Sequence, residues 1–228
     1  METNMADQHT SEPQPIFLTK VPVHSLLSRV ALHKPQNGWS IKDPQVRHRA
    51  IMALFPQINA ERPRAEMGIL FRLDHVPGDA PFFLIQSREP VPQLNLPHEA
   101  TMKKVALQEL PSGISVTFRI AVNAIQRIGS GGTRSIPLEG EEPIPGVPSL
   151  SEWLSAKLSP ALTNIEIIDS RREVLTTGSG KNKRAVQVDT IDGAATVGDG
   201  AALLTAQTNG VGRAKSYGCG LLSVQVLS

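Results

Sequence analysis

Six histidines and a single cysteine supply the side chains of this chain best suited to proton transfer, nucleophilic attack or metal ligation. No histidine pairs with another His, Cys or carboxylate at helical ligand spacing, so the sequence offers little support for a metal site. His9 falls in a polar N-terminal stretch, His24 and His33 in or near the first connection, and His75 and His98 in loops. His48 alone falls inside an expected helix. Imidazole, with an unperturbed pKa of about 6.5, can pass a proton in either direction near neutral pH. Position alone still favours a structural role for a helical histidine beside an apolar face.

A second feature is the run Gly210-Val211-Gly212-Arg213-Ala214-Lys215-Ser216-Tyr217-Gly218-Cys219-Gly220. It lacks Walker spacing. It also follows a helix and precedes a strand, the reverse of a dinucleotide-binding turn. Glycine permits positive φ and lets backbone amides approach an anion, while Arg213 and Lys215 add full charges. The competing explanation is a turn forced by tight helix–strand packing. A third feature sets Arg171, Arg172, Lys181, Lys183 and Arg184 against the lone Glu173 within fourteen residues. That cluster suits a polyanion, and it equally suits a solvated hairpin.

Elements to position these residues can be laid out from turn and cap signals. Residues 1–15 are polar, carry Glu2, Asp7 and Glu12 with no Lys or Arg, and are expected to be a disordered extension. Ile16 to Val23 predicts a strand, followed by a loop containing residues 34–38. Asp43-Pro44 is a helix start, and Val46, Ala50, Ile51, Leu54 and Phe55 make the apolar face of a helix over residues 44–55. Met67 to Leu73 and Phe82 to Gln86 flank Pro77-Gly78-Asp79 as a hairpin, and Met102 to Leu110 closes a first sheet. The proline-rich interval from Pro90 to Pro97 shows no clear second helix.

After Pro111-Ser112-Gly113 the pattern restarts, with a strand over Ile114 to Val122 and a helix over Leu150 to Leu158 begun by Ser149 or Ser151. Asn164 to Thr176 and Arg184 to Ile191 form a second hairpin around Gly178-Ser179-Gly180. Asp199 caps a helix over Ala201 to Thr208, which Asn209-Gly210 should end in left-handed geometry, and Leu221 to Leu227 is a last strand. The expected fold class is α+β, two tandem ferredoxin-like βαββαβ domains over residues 16–111 and 112–228.

Composition narrows the function classes. With 228 residues the chain can bury a real core. Its 23 basic and 21 acidic residues become 23 against 18 once the acidic extension is set aside, an excess that permits a polyanionic partner. Cys219 cannot form an internal bridge, no apolar run approaches the roughly 18 residues of a bilayer span, and no signal peptide is evident, so a cytoplasmic location is expected.

The glycine-rich run, continued by Leu221-Leu222-Ser223, closely resembles the signature of the CasE family, the CRISPR repeat-RNA endoribonucleases of type I-E systems. Further similarity follows in chain order: His48 with Arg49 to Pro56, Leu70 to Leu73, Leu84 to Ser87, and Phe118-Arg119-Ile120 with Asn123. The resemblance spans about residues 16–228. It implies two ferredoxin-like domains, recognition of a repeat stem-loop, and one metal-independent cut at the base of that stem, with no cofactor. The RNA 2′-hydroxyl would attack the adjacent phosphate, leaving a 2′,3′-cyclic phosphate and a 5′-hydroxyl, with His48 as general base or general acid.

The same resemblance makes Arg171, Arg172, Lys181, Lys183, Arg184, Gly210, Gly212, Arg213, Lys215, Gly218 and Gly220 RNA-binding candidates, and it implies residence in a surveillance complex with other subunits. Family members commonly carry a tyrosine three residues before the helical histidine. Here that position is Gln45, which can donate to a phosphate but cannot replace a phenol in proton transfer. A non-catalytic repeat-RNA-binding subunit is therefore the alternative. Tandem RNA-recognition folds of another kind find little support, because aromatics make up only 4% of the chain.

Overall fold

The computed structural model describes residues 15–30, 40–129, 131–178 and 184–227, with the side chains of 28–30 left out. The expected N-terminal extension before Pro15, His33, the loop over 34–38, Lys181 and Lys183 fall outside the described residues.

The first half forms a four-stranded antiparallel sheet in the order β2-β3-β1-β4, from β1 (Pro15–Pro22), β2 (Leu70–Asp74), β3 (Phe82–Ser87) and β4 (Thr101–Ala106). The second half repeats that order as β10-β5-β9-β8, from β5 (Ser115–Val122), β8 (Leu162–Thr177), β9 (Arg184–Val197) and β10 (Leu222–Val226). In each sheet the last strand lies antiparallel beside the first, as in a ferredoxin-like unit. Helices α4 (Leu150–Leu158) and α5 (Gly200–Asn209) complete the second unit. The first carries α1 (Val23–Val30), α2 (Pro44–Met52) and the one-turn α3 (Pro63–Glu66), and it crosses to β4 through a 3-10 turn at Gln93–Asn95 instead of a second helix.

The caps act as the sequence predicts. Asp43 accepts from the Gln45 amide at 2.8 Å and Asp199 from Ala202 at 2.9 Å, each satisfying an orphan donor of a first turn. Ser149, not Ser151, caps α4 through a reciprocal box with Glu152. Two expectations change. Helix α2 stops at Met52, and Ala53 to Phe55 continue as turns. Gly210 has the expected positive φ of 73°, but its ψ of 159° lies outside the left-handed helical region. That combination belongs almost only to glycine.

Strand β2 is buried along its whole length because both of its faces are covered. Phe71 and Leu73 join Val21, Leu26, Ile51 and Phe83 in the core beneath α1 and α2. Leu70 and Arg72 point the other way, toward the second half. A methyl group on Gly210 would meet the Leu70 side chain at 2.7 Å. The Arg72 guanidinium donates to Asp74 at 2.7 and 3.0 Å and to the carbonyls of Arg119 and Leu221 at 3.0 and 3.1 Å. Gln86 adds a bond to the Gln207 carbonyl at 2.8 Å. Side chains inside both halves thus hold them together, and the junction is where the candidate site forms.

Candidate active site

His48 sits at the middle of α2, half-buried, on the wall of a cleft of about 330 Å3. The opposite walls are Arg62 to Ala65, around the start of α3, and Ser216 of the glycine-rich run. The two features that stand 168 positions apart in the sequence therefore meet, one from each half. A wider groove of about 590 Å3 continues from His48 past Met52, Phe55 and Pro56.

Burial pulls the His48 pKa below its ordinary 6.5, the positive charge of Arg64 pulls it further, and a hydrogen bond with the Ser216 backbone opposes the fall. The ring is neutral at pH 7 and able to accept a proton. Its Nδ1 is buried and makes no hydrogen bond among the described residues. Lys215 also titrates low, through burial and then the charge of Arg64, while its Nζ donates to the Asn209 carbonyl at 2.8 Å. Arg64 itself, lowered by burial, donates to the Ile69 carbonyl at 2.7 Å. The Arg64 charge, which lowers both His48 and Lys215 in a half-buried cleft, marks a place suited to an anion.

Helix α2 is anchored from the far side. Arg47, 2% exposed, donates from one guanidinium nitrogen, Nη2, to both carboxylate oxygens of Glu173 of β8 at 2.6 and 2.7 Å. Thr176 donates its amide to the Lys42 carbonyl at 2.8 Å, and the Thr177 hydroxyl bonds Asp43 at 3.3 Å. The strand that carries Arg171 and Arg172 thus fixes the N-terminal end of the histidine helix.

The expected binding residues divide by environment. Arg171 and Arg184 are exposed on β8 and β9. Arg172 is not available as expected: it turns inward to Asp189 at 2.7 Å and to the Ile136 carbonyl at 2.6 Å. Asp189 is fully buried, and burial pushes its carboxyl up while the Arg172 guanidinium holds it down, so Arg172 is needed inside the fold. Arg119 donates to the Asp192 carboxylate at 2.9 Å.

Within the glycine-rich run, Gly210 and Gly220 also depart from an RNA-facing role. Their amides donate to Ala206 and Ala121 at 2.9 and 2.7 Å, and a side chain at either would strike neighbouring atoms. Gly218 is buried against Phe71. Gly212 is different: its φ is +75° and open space lies where a side chain would point. At these glycines the tight-packing explanation holds for three and fails for the fourth. Tyr217 packs with Ala121, Leu175, Val188 and Cys219, in keeping with a structural ring. Gln45 is exposed one turn before His48 on the same helix, three residues away and so on the same face.

Arg64 and Ser216 were not legible as site residues. Arg64 lies in an undistinguished Pro-Arg stretch, and Ser216 contributes through its backbone, which side-chain chemistry does not announce. Among the described residues, no three His, Cys, Asp or Glu side chains converge as a metal-binding group, and no helix is long and apolar enough to cross a membrane.

Comparison with known proteins adds family evidence. Residues 25–225 match the model of a family described as CRISPR associated protein. The chain is 30% identical over 210 residues to the CRISPR system Cascade subunit CasE of Escherichia coli K12, an alignment covering 88% of this chain and 99% of that one. Among solved structures, the fold is similar to the CRISPR endoribonuclease Cse3 bound to a 19 nt RNA, with TM-score 0.65, 21% identity and coverage of 92% and 99% of the two chains. It is also similar to the CRISPR-associated protein Cas6e of Escherichia coli K-12, with TM-score 0.59, 25% identity and coverage of 92% and 100%.

Proposed function

We propose, from the premise that this chain belongs to the CasE family of CRISPR-associated proteins, that it is an endoribonuclease cutting precursor CRISPR RNA at the base of the repeat stem-loop. It then stays on the product as a subunit of the surveillance complex, in the cytoplasm. The observation that carries this reading is the meeting of the His48 helix, Arg64 and the Ser216 backbone in one cleft.

The reaction needs no metal, because RNA brings its own nucleophile. The 2′-oxygen beside the scissile phosphate forms a bond to phosphorus as the bond to the 5′-oxygen breaks. The 2′-hydroxyl proton leaves to a base, and the departing 5′-oxygen takes one up. The products are a 2′,3′-cyclic phosphate and a 5′-hydroxyl. A neutral His48 at pH 7 suits the base role, and general base catalysis contributes about 10²- to 10⁴-fold. Arg64 and Lys215 face the charge that builds on the phosphorane. Arg171 and Arg184, with Lys181 and Lys183, contact the phosphates of the A-form stem, and Gln45 donates to a phosphate one turn from His48.

A second reading is favoured by Gln45, which stands where a phenol is common in the family: the chain retains the stem and no longer cuts it. Incubating a repeat hairpin from the same genome with the protein in EDTA separates the two. Cleavage that a single 2′-deoxy substitution before the cut abolishes is the expected result. Tight binding without cleavage would establish the second reading.

A further inference from the structure

The cleft at His48 leaves part of the glycine-rich run unused. Gly212 and Arg213 line a separate cavity of about 420 Å3, in the second half of the molecule. Its apolar wall is Val122, Ile125 and Val211, and the Trp153 ring of α4 stands beside it. Three exposed cations also line it, Arg213, Lys157 of α4, and Arg127 at the end of the short strand β6 (Ile125–Arg127), together with Asn123 and Gln126. No carboxylate lines it, and none of the three cations makes an ion pair among the described residues. Lys157 holds its Nζ 5.6 Å from the Trp153 ring centroid.

The backbone is as suggestive as the side chains. The amides of Gly212, Arg213 and Ala214 make no hydrogen bond among the described residues, although the amides of Gly210 and Val211 just before them do. Ala214 holds a left-handed conformation at φ 57°, which an alanine rarely adopts. Two unpaired donors in that lining, the amides of Gly212 and Arg213, stand beside three cations as an anion site, and an indole with an apolar wall forms a place for a flat ring. Together, in a volume of ligand size, they describe a nucleotide.

We propose that this cavity holds an unpaired nucleotide of the RNA strand that continues past the scissile phosphate, its base on Trp153 and its phosphate on the amides of Gly212 and Arg213. This rests on the RNA-cutting function proposed above. The occupant belongs to that same strand because Arg213 and Ser216 are three residues apart, so the two clefts lie within about 10 Å along one segment. Aromatic stacking accepts any base, so the site fixes the path of the strand and is indifferent to its sequence.

The test uses the full chain and two RNA hairpins, each made uncleavable by a 2′-deoxy substitution before the cut. One retains the unpaired strand beyond the scissile phosphate and the other is trimmed there. The double variant Arg127→Ala, Lys157→Ala should weaken binding of the extended hairpin about tenfold and leave the trimmed one within about twofold. The slope of log affinity against log salt should fall by about 1.4 for the extended hairpin only. Trp153 also packs on the core, so Trp153→Leu is read beside Trp153→Phe, which keeps a ring and should restore most of the loss.

Equal weakening of both hairpins would overturn the proposal in favour of a general attraction to the stem. Unchanged binding of both, with weakened assembly into the surveillance complex, would overturn it in favour of a protein partner. Failure of the unmodified protein to bind even the trimmed hairpin would instead sink the RNA-processing function, and the proposal with it.

Discussion

In the first half the longest strand has eight residues, and the helix that matters, α2, has nine. In the second, which repeats the same strand order, β8 and β9 run for sixteen and fourteen residues, and β8 reaches across to grip the N-terminal end of α2. One topology is thus put to two uses. The short half presents an imidazole, and the long half supplies exposed cations, a backbone wall and the anchor that holds the imidazole in place. Duplication of a fold leaves its chemistry free to settle in whichever half the loops and strand lengths favour.

If that division is right, the two halves should fail differently when altered. His48→Ala should lower the single-turnover cleavage rate by about 10²- to 10⁴-fold and leave affinity for the hairpin unchanged within about twofold. Loss of binding in parallel with cutting would merge the two roles. Arg64→Met should slow cleavage by about 10- to 100-fold, through the charge it offers the phosphorane, with a smaller effect on affinity.

The anchor bears on stability as well. Arg47→Met leaves Glu173 without its partner and should destabilise the fold by about 2 to 3 kcal/mol in denaturant titration. That lies below the range for fully buried pairs because the Glu173 side chain is 34% exposed. Cleavage per folded molecule should fall too, since α2 loses its fixed seat. Smallest is the outer grip: Arg171→Ala with Arg184→Ala should cost a few-fold in affinity and flatten the salt dependence by about two units, with the cleavage rate at saturation unchanged.

Local signals made much of the fold legible before any coordinates. The caps at Asp43 and Asp199 and the repeating strand pattern depend on neighbours in sequence, and they fixed α2, α5 and the second sheet closely. Helix α1 was missed because Val21, Pro22 and Val23 continue a strand-like run, whereas the proline-rich interval that showed no clear second helix indeed holds only a 3-10 turn at Gln93–Asn95, where the second unit has α5. The pair β6 with β7 (Thr133–Ser135) was missed because each strand is only three residues long.

At the site, His48 and the glycine-rich run were visible as separate features, but their meeting was not. Whether a charge faces solvent depends on partners far away in the chain. Arg172 looks like Arg171 in the sequence, yet Asp189, seventeen positions on, draws it inward. The same holds for the glycines: composition marks all four, and only the packing of Leu70, Ala121 and Phe71 against the run separates the three structural ones from Gly212.

The pH dependence of kcat/KM for hairpin cleavage in EDTA tests most directly whether the junction of the halves tunes the catalytic group. A general base works when unprotonated, and both burial and Arg64 lower the His48 pKa, so the rate should rise with pH to a plateau by neutrality, with its midpoint below 6.5. In Arg64→Met that midpoint should move up toward 6.5. A midpoint above 7, a rate that falls as pH rises through this range, or a midpoint indifferent to Arg64 would contradict the account.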